Sequence, residues 1–425
     1  MFSSRTNWKL TQNRFTQTLA EVRASGGKLL DLTHSNPTRV GLLYDDAAVL
    51  GALASPRALD YDPQSKGLLA AREAVAGYYR EQHGVREIDP ERIVLTTSTS
   101  EGYSFVFRLL CNAGDELLVP KPSYPLFEFL ADLQDVKLVP YPLIYDHGWQ
   151  IDFHSLETAV TARTRGVVVV HPNNPTGSYV QADEVKLLNV FCLEHGLAVI
   201  ADEVFFDYGL DRDVDTKNSH GGTDAPSTSP GQAPVRPVER SSTALSAGSF
   251  AANSDVLTFT LSGLSKISAL PQMKVAWVVT SGPEAQAAEA TARLEVIADT
   301  YLSMNAPIQW ALPVLLKLRE NIQRQLIARV MTNLAELDRQ LAEQKSCERL
   351  HVEAGWYAVL RVPVTRSDEE LAIELLREKS VLVHPGYFYD FPSDGYLVLS
   401  LITPQREFGG SVGRVLEHLE QKLRS

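Results

Sequence analysis

The sequence predicts an α/β protein: a large unit built on a mainly parallel sheet covered by helices, with a smaller α+β unit beside it. Between Glu91 and Thr280, short apolar runs rich in β-formers alternate with helical segments, the pattern of parallel strands joined by crossover helices. Beyond Pro307 the apolar residues fall at three- and four-residue spacings, and the chain then reads strand, helix, strand, helix, which builds a second, smaller layer. With 425 residues, 44% of them hydrophobic, the chain has ample material for more than one core.

In order, the predicted strands are RIVLTT, DELLVP, VKLVPY, GVVVVH, LAVIAD, VLTFTL and KVAWVV. The unbroken run Val167 to Val170 suits a central strand, because a strand buried on both faces has no reason to alternate polar and apolar residues. Its following loop should open onto the crevice where open α/β sheets bind ligands. The stretch 211–240 is rich in Ser, Gly, Pro, Thr and Asp and reads as a polar surface insertion, with a lid or regulatory role left open. WALPVLLKLRENIQRQLIARVMTNLAELDRQLAEQ predicts a helix or helix pair. We place the large unit at 46–305 and the smaller one at 1–45 together with 306–425.

The formal charge of −12 disfavours nucleic acid and anionic membrane as partners, since both repel a net negative surface. A small molecule is the expected partner. The three cysteines, Cys111, Cys192 and Cys347, form no C-x-x-C pair, so no metal site is expected and a reducing cytoplasm fits. MFSSRTNWKL lacks the apolar core of a signal peptide, and no later run is long enough for a bilayer.

Four segments carry candidate chemistry. In LSGLSKISALPQMKVAW, Lys266 follows an apolar strand within a Ser-Gly-rich turn, where partial desolvation favours its neutral, nucleophilic form. In VIADEVFFDY, Asp202 projects from a strand end towards the same crevice. A buried carboxylate there needs a cationic partner such as a protonated pyridine nitrogen, although a helix cap or structural pair is an alternative. HPNNPTG also follows a strand, and its prolines and glycine fix a turn that frees an Asn amide to face a ligand oxygen. TTSTSEGYSF sets Ser98, Thr99 and Ser100 where a strand gives way to a helix, an arrangement suited to a phosphate.

Together these segments resemble the aminotransferases of classes I and II, the fold-type I pyridoxal-phosphate enzymes, along nearly the whole chain. The resemblance lies in Tyr61 with Gly67 and Arg72, in Ser98 to Ser100, in Tyr124 of PKPSYPLF and in Asn174 of NNPTG. It continues through Asp202 of ADEVF, Lys266 of LSK and the Pro385-Gly386 pair. It implies that Lys266 forms the Schiff base with pyridoxal 5′-phosphate and then shuttles a proton, while Asp202 keeps the pyridine nitrogen protonated. It further implies that Asn174 donates to the phenolate oxygen and that Tyr124 stacks on the ring. Ser98, Thr99 and Ser100 would hold the phosphate, which Tyr61 would reach from the second subunit of a homodimer. The implied substrates are an amino acid and a 2-oxo acid.

Several positions depart from the family pattern. Phe205 stands where a tyrosine usually bonds the phenolate oxygen, and Lys274 where an arginine usually grips the phosphate. A lysine supplies charge there without the bidentate fork. Gly263 occupies the place of a phosphate-binding serine, leaving the neighbouring Ser262 and Ser265, of which Ser265 is the candidate cofactor contact. Val398 replaces the arginine that clamps the substrate α-carboxylate. An aliphatic side chain cannot do this. Arg39 in HSNPTRVGL is the candidate replacement, alongside Asn174 as a substrate contact, with Arg406 a second choice. The resemblance implies a transaminase; a pyridoxal-phosphate lyase, such as one cleaving a carbon-sulfur bond, and a non-catalytic cofactor sensor remain as alternatives.

Overall fold

The computed structural model describes residues 1–85, 88–125, 127–210, 248–302 and 304–424. The stretch 211–240, read above as a polar insertion, lies outside the described residues. The strands are β1 (Leu30–Asp31), β2 (Ile93–Thr96), β3 (Glu116–Lys121), β4 (Lys137–Tyr145), β5 (Trp149–Ile151), β6 (Thr164–Val170) and β7 (Ala198–Asp202). They continue as β8 (Thr258–Gly263), β9 (Ala276–Ser281), β10 (Glu348–Arg349), β11 (Tyr357–Arg361), β12 (Val381–Leu382), β13 (His384–Pro385) and β14 (Tyr396–Ser400). The helices are α1 (Arg14–Ala24), α2 (Asp46–Leu53), α3 (Leu69–His83), α4 (Thr99–Leu110), α5 (Phe127–Asp132), α6 (Phe153–Ala159) and α7 (Ala182–His195). After them come α8 (Leu264–Ile267), α9 (Glu284–Tyr301), α10 (Ala306–Lys317), α11 (Arg319–Ala342), α12 (Asp368–Lys379) and α13 (Gln405–Arg424).

The large sheet has the order β2-β9-β8-β7-β6-β3-β4-β5. β9 is antiparallel to both neighbours and β5 to β4; every other pairing is parallel. Each predicted apolar run lies on one of these strands. Side chains alternate between two apolar cores across β6: Val168 and Val170 pack with Phe105, Ile200 and Leu294, while Val167 and Val169 pack with Leu188, Phe191 and Val199. Burial on both faces is therefore the physical reason for the four-valine run.

The helix predicted beyond Pro307 is a pair, broken at Leu318. α10 was assigned to the smaller unit, but Ile308, Leu312 and Leu315 share a core with Val75 and Trp277. Its apolar face thus belongs to the large sheet, because α2 and α3 are the surfaces it packs on. α11 then carries Ile322, Leu326 and Val330 into the core of the smaller unit. There an antiparallel sheet, ordered β10-β11-β14-β13, is joined by a parallel β1-β12 pair, which ties the N-terminal segment to the C-terminal one. α1 packs on α12. No helix among the described residues is long and apolar enough to cross a membrane.

Candidate active site

The carboxyl ends of six strands share one edge of the large sheet, because β2, β3, β4, β6, β7 and β8 all point the same way. Asp202 is the last residue of β7, pairing with Leu261 of β8. Lys266 lies in the single turn α8 directly after β8. The HPNNPTG loop follows β6, whose Val170 pairs with Asp202, and Tyr124 follows β3. Ser98 caps α4 just after β2.

Asp202 is 9% exposed and accepts hydrogen bonds from the Tyr103 hydroxyl at 3.0 Å and the Val204 N–H at 3.1 Å. Burial raises its carboxyl to about 6, opposed by the bonds from Val204 and Tyr103 and by the charge of Lys266. The Lys266 amine lies 4.9 Å from the centre of the Trp356 ring and 5.3 Å from that of Phe205. Burial lowers its pKa to about 8, against the attraction of Asp202. An amine that deprotonates near neutrality and a carboxylate held in apolar surroundings thus face the same crevice, and each moves the other. Such a pair is a functional-site signature.

On the loops that follow β6 and β3, Asn174 Oδ1, Asn173 Oδ1 and Ser123 Oγ are buried without a protein partner. Three orphaned polar atoms on the loops after β6 and β3 are expensive unless a ligand completes them. Tyr124 is 44% exposed, and its loop is fixed by the bond from Ser123 N–H to the Tyr389 carbonyl at 2.9 Å. Ser98 accepts from Glu101 N–H at 3.2 Å, so capping accounts for one hydroxyl of the Ser98-Thr99-Ser100 cluster. Thr96 pairs with Ala276, so the chain reaches Ser98 and returns from Lys274 at the same edge. Lys274 is exposed there. Ser262 is spent on the Glu203 carbonyl at 3.3 Å, whereas Ser265 stays partly exposed beside Lys266. A side chain at Gly263 would collide with β9, its Cβ lying 2.8 Å from both Ala276 Cβ and the Val275 carbonyl oxygen. This explains why no serine stands there.

Other residues lie apart from the cluster. Tyr61 is 83% exposed, in a cavity with Gly67, Leu95, Phe105 and Met304. Arg72 is structural, buried and bonded to the carbonyls of Gly67 and Pro90 and to Glu91. Val398 is buried and pairs with Val359. Arg406 sits in a groove between α11 and α13 lined by Glu336 and Gln340. Arg39 is exposed, on a segment whose next residues are tied to α11 by Arg329 and Gln325. That segment ends with the Tyr44 hydroxyl on the Ala269 carbonyl at 2.8 Å, three residues past Lys266. Tyr103 and Trp356 escaped the sequence reading. Tyr103 lies one turn into the helix that opens with Ser98, and Trp356 is brought to Lys266 only by tertiary packing.

A sheet with a desolvated lysine and a buried carboxylate at its carboxyl edge defines an enzyme site of the lysine-and-carboxylate type. The chain belongs to the aminotransferases of class I and II, whose family model matches residues 46–405. It is similar to the alanine aminotransferase of Mycobacterium tuberculosis, 26% identical over 406 residues that cover 94% of this chain and 87% of that protein. It is 30% identical over 292 residues to the glutamate-pyruvate aminotransferase AlaA of Escherichia coli, covering 68% of this chain and 64% of the relative. The solved alanine aminotransferase of Pyrococcus furiosus superposes with a TM-score of 0.82 at 20% identity, covering 99% of this chain and all of that one. The fold is therefore that of fold-type I transferases, and the protein is an aminotransferase acting on small molecules.

Proposed function

We propose that this chain transfers an amino group between an amino acid and a 2-oxo acid with pyridoxal 5′-phosphate held at Lys266. The observation that carries the proposal is the placement of Lys266, in the turn after β8, and Asp202, at the end of the neighbouring β7, on one edge of the sheet, where burial lowers the amine to about 8 and raises the carboxylate to about 6. The crevice fits the cofactor in chemistry. It offers a nucleophilic amine, a buried anion for a ring nitrogen, and a helix start with Lys274 at the same edge for a phosphate. Of the buried atoms without a protein partner, Ser123 Oγ can donate to a ligand oxygen, whereas Asn173 Oδ1 and Asn174 Oδ1 can only accept. Pyridoxal phosphate, when bound, supplies an aldehyde that condenses with amines and a ring that accepts the electron pair released at the substrate Cα.

In this reading, the neutral Lys266 Nζ would take the proton from the substrate Cα and deliver it to the cofactor, and would carry it back in the reverse half-reaction. Asp202 holds a proton on the ring nitrogen, itself fixed by Tyr103 and Val204. Asn174 donates to the ring oxygen, Tyr124 covers the ring face, and Phe205 offers only an apolar edge. Ser98, Thr99, Ser100, Ser265 and Lys274 hold the phosphate. Arg39 takes the substrate carboxylate that Val398 cannot. The exposed Tyr61 completes the phosphate site of a second copy, making a homodimer the working form. A cytoplasmic setting suits three free cysteines.

The names of the two curated relatives favour alanine and glutamate as donors, with pyruvate and 2-oxoglutarate as acceptors. The test is a single-turnover screen of the cofactor-loaded enzyme across the common amino acids. Release of the matching 2-oxo acid with retention of nitrogen on the enzyme supports transamination. Release of ammonia with pyruvate would replace it by a lyase, and a spectrum unmoved by every amine would replace it by a sensor.

A further inference from the structure

The lysine-bearing turn is held only in part by its own backbone. α8 is one turn long: the Leu264 carbonyl accepts from the Ser268 and Leu270 N–H groups and the Lys266 carbonyl from the Ala269 N–H, each at 3.1 Å. Side chains from elsewhere add further donors at its carboxyl end, where a longer helix would supply them itself. The Tyr208 hydroxyl donates to the Lys266 carbonyl at 2.6 Å. Gln323, on α11, donates through its amide nitrogen to the Ile267 carbonyl at 2.9 Å.

The orientation of that amide is itself fixed. The same nitrogen donates to Asp207 Oδ2 at 2.5 Å. Both neighbours of the nitrogen are acceptors, so the amide cannot flip without placing its oxygen against a carboxylate and a carbonyl. Asp207 is in turn held by the Tyr78 hydroxyl at 2.9 Å and by His83 Nε2 at 3.0 Å. Asp207, Gln323 and Tyr78 are all buried. Burial, reinforced by the Asp207 charge, pushes the Tyr78 hydroxyl well above its usual range, so it remains a donor at any working pH. A chain of hydrogen bonds thus runs from the end of α3, through Asp207 and α11, to the peptide after Lys266.

We propose that Gln323 and Tyr208 are positioning residues for Lys266, with Asp207 orienting Gln323. They touch no substrate. They fix the backbone from which a flexible four-carbon stem must bring one nitrogen back to the same place in both halves of the reaction. A displacement of about 1 Å at a reacting group can cost on the order of 100-fold in rate. This inference rests on Lys266 being the reacting amine.

The test compares Gln323→Met and Tyr208→Phe with Asn333→Leu. Asn333 is an equally buried amide on the same helix, donating at 2.8 Å to the carbonyls of Leu401 and Thr403 in the smaller unit. It therefore controls for the general cost of losing such an anchor. In the cofactor-loaded enzyme, Gln323→Met is expected to lower kcat about 10- to 100-fold, with KM changed less than about threefold on the same warrant. Amide exchange across 264–270 should accelerate and borohydride trapping of cofactor at Lys266 should slow. Tyr208→Phe should move the same readouts in the same direction, and Asn333→Leu should lower only the melting temperature. Unchanged kcat, exchange and trapping in Gln323→Met, or equal losses in Asn333→Leu, would overturn the proposal. A wild-type chain that transfers no amino group would instead refute the functional reading, while exchange and trapping still decide whether Gln323 and Tyr208 hold the turn.

Discussion

Asp202→Asn should make the cofactor-free protein more stable and the loaded enzyme nearly inactive. Burial raises the carboxyl from 3.8 to about 6. At 1.36 kcal/mol for each tenfold change in proton affinity, holding the charge in the folded state costs about 3 kcal/mol above pH 6. The sign follows from the raised value. Below pH 3.8 both folded and unfolded chains carry the neutral acid and the cost is absent. Between 3.8 and about 6 the unfolded chain ionises first, so stability is lost as pH rises, and above 6 the loss is complete. An asparagine has no charge to desolvate, though the attraction to Lys266 also disappears, so the net gain at pH 7.5 should be about 1–3 kcal/mol. That is a rise of a few degrees in melting temperature for a chain of this size. Thermal melts of both cofactor-free proteins from pH 4 to 8 measure it, and the gap should open as pH rises. Activity of the loaded variant should fall about 100-fold or more, because no anion remains to hold a proton on the ring nitrogen. A variant no more stable than the wild type at pH 7.5, or a gap independent of pH, would refute the desolvation argument.

Lys266→Ala should abolish both turnover and the cofactor linkage that borohydride fixes; a purified, cofactor-loaded variant that still turns over would exclude Lys266. Arg39→Ala should raise the amino acid KM about 10- to 100-fold, the worth of a charged hydrogen bond of about 1.5–3 kcal/mol, and an unchanged KM removes Arg39 from the site. Gly67→Ala should cost about 2–4 kcal/mol, since Gly67 has φ +89° and its Cβ would lie 2.6 Å from Leu95 Cδ1. Chemical denaturation reads this, and a loss below about 0.5 kcal/mol, the scale of an ordinary surface change, would contradict the packing there.

The large sheet was legible because its strands are buried on both faces and therefore written as continuous apolar runs, Val167 to Val170 above all. Strand-end chemistry was legible for the same reason: Asp202 ends one apolar strand and Lys266 stands in the turn just after another, where the chain leaves the sheet. Less visible was the ownership of α10. Its periodicity shows that it buries one face but not which neighbour covers it, and the core with Val75 and Trp277 lies more than two hundred residues away along the chain for α3. Trp356 was missed because its approach to Lys266 depends on β11 of the smaller unit meeting the edge of the large sheet.

By itself the sequence determined the local physics: which runs become strands, which lysine and carboxylate stand at their ends, and which family positions have lost their arginine or tyrosine. Only the tertiary structure decided the electrostatics and the anchoring. A pKa depends on what surrounds a group in space, so Lys266 became an amine near 8 only once Phe205, Trp356 and Asp202 had closed around it. The supports of its turn, Tyr44, Tyr208 and Gln323, come from three separate parts of the chain, and hydrogen bonds between such distant parts leave no spacing for a sequence to reveal.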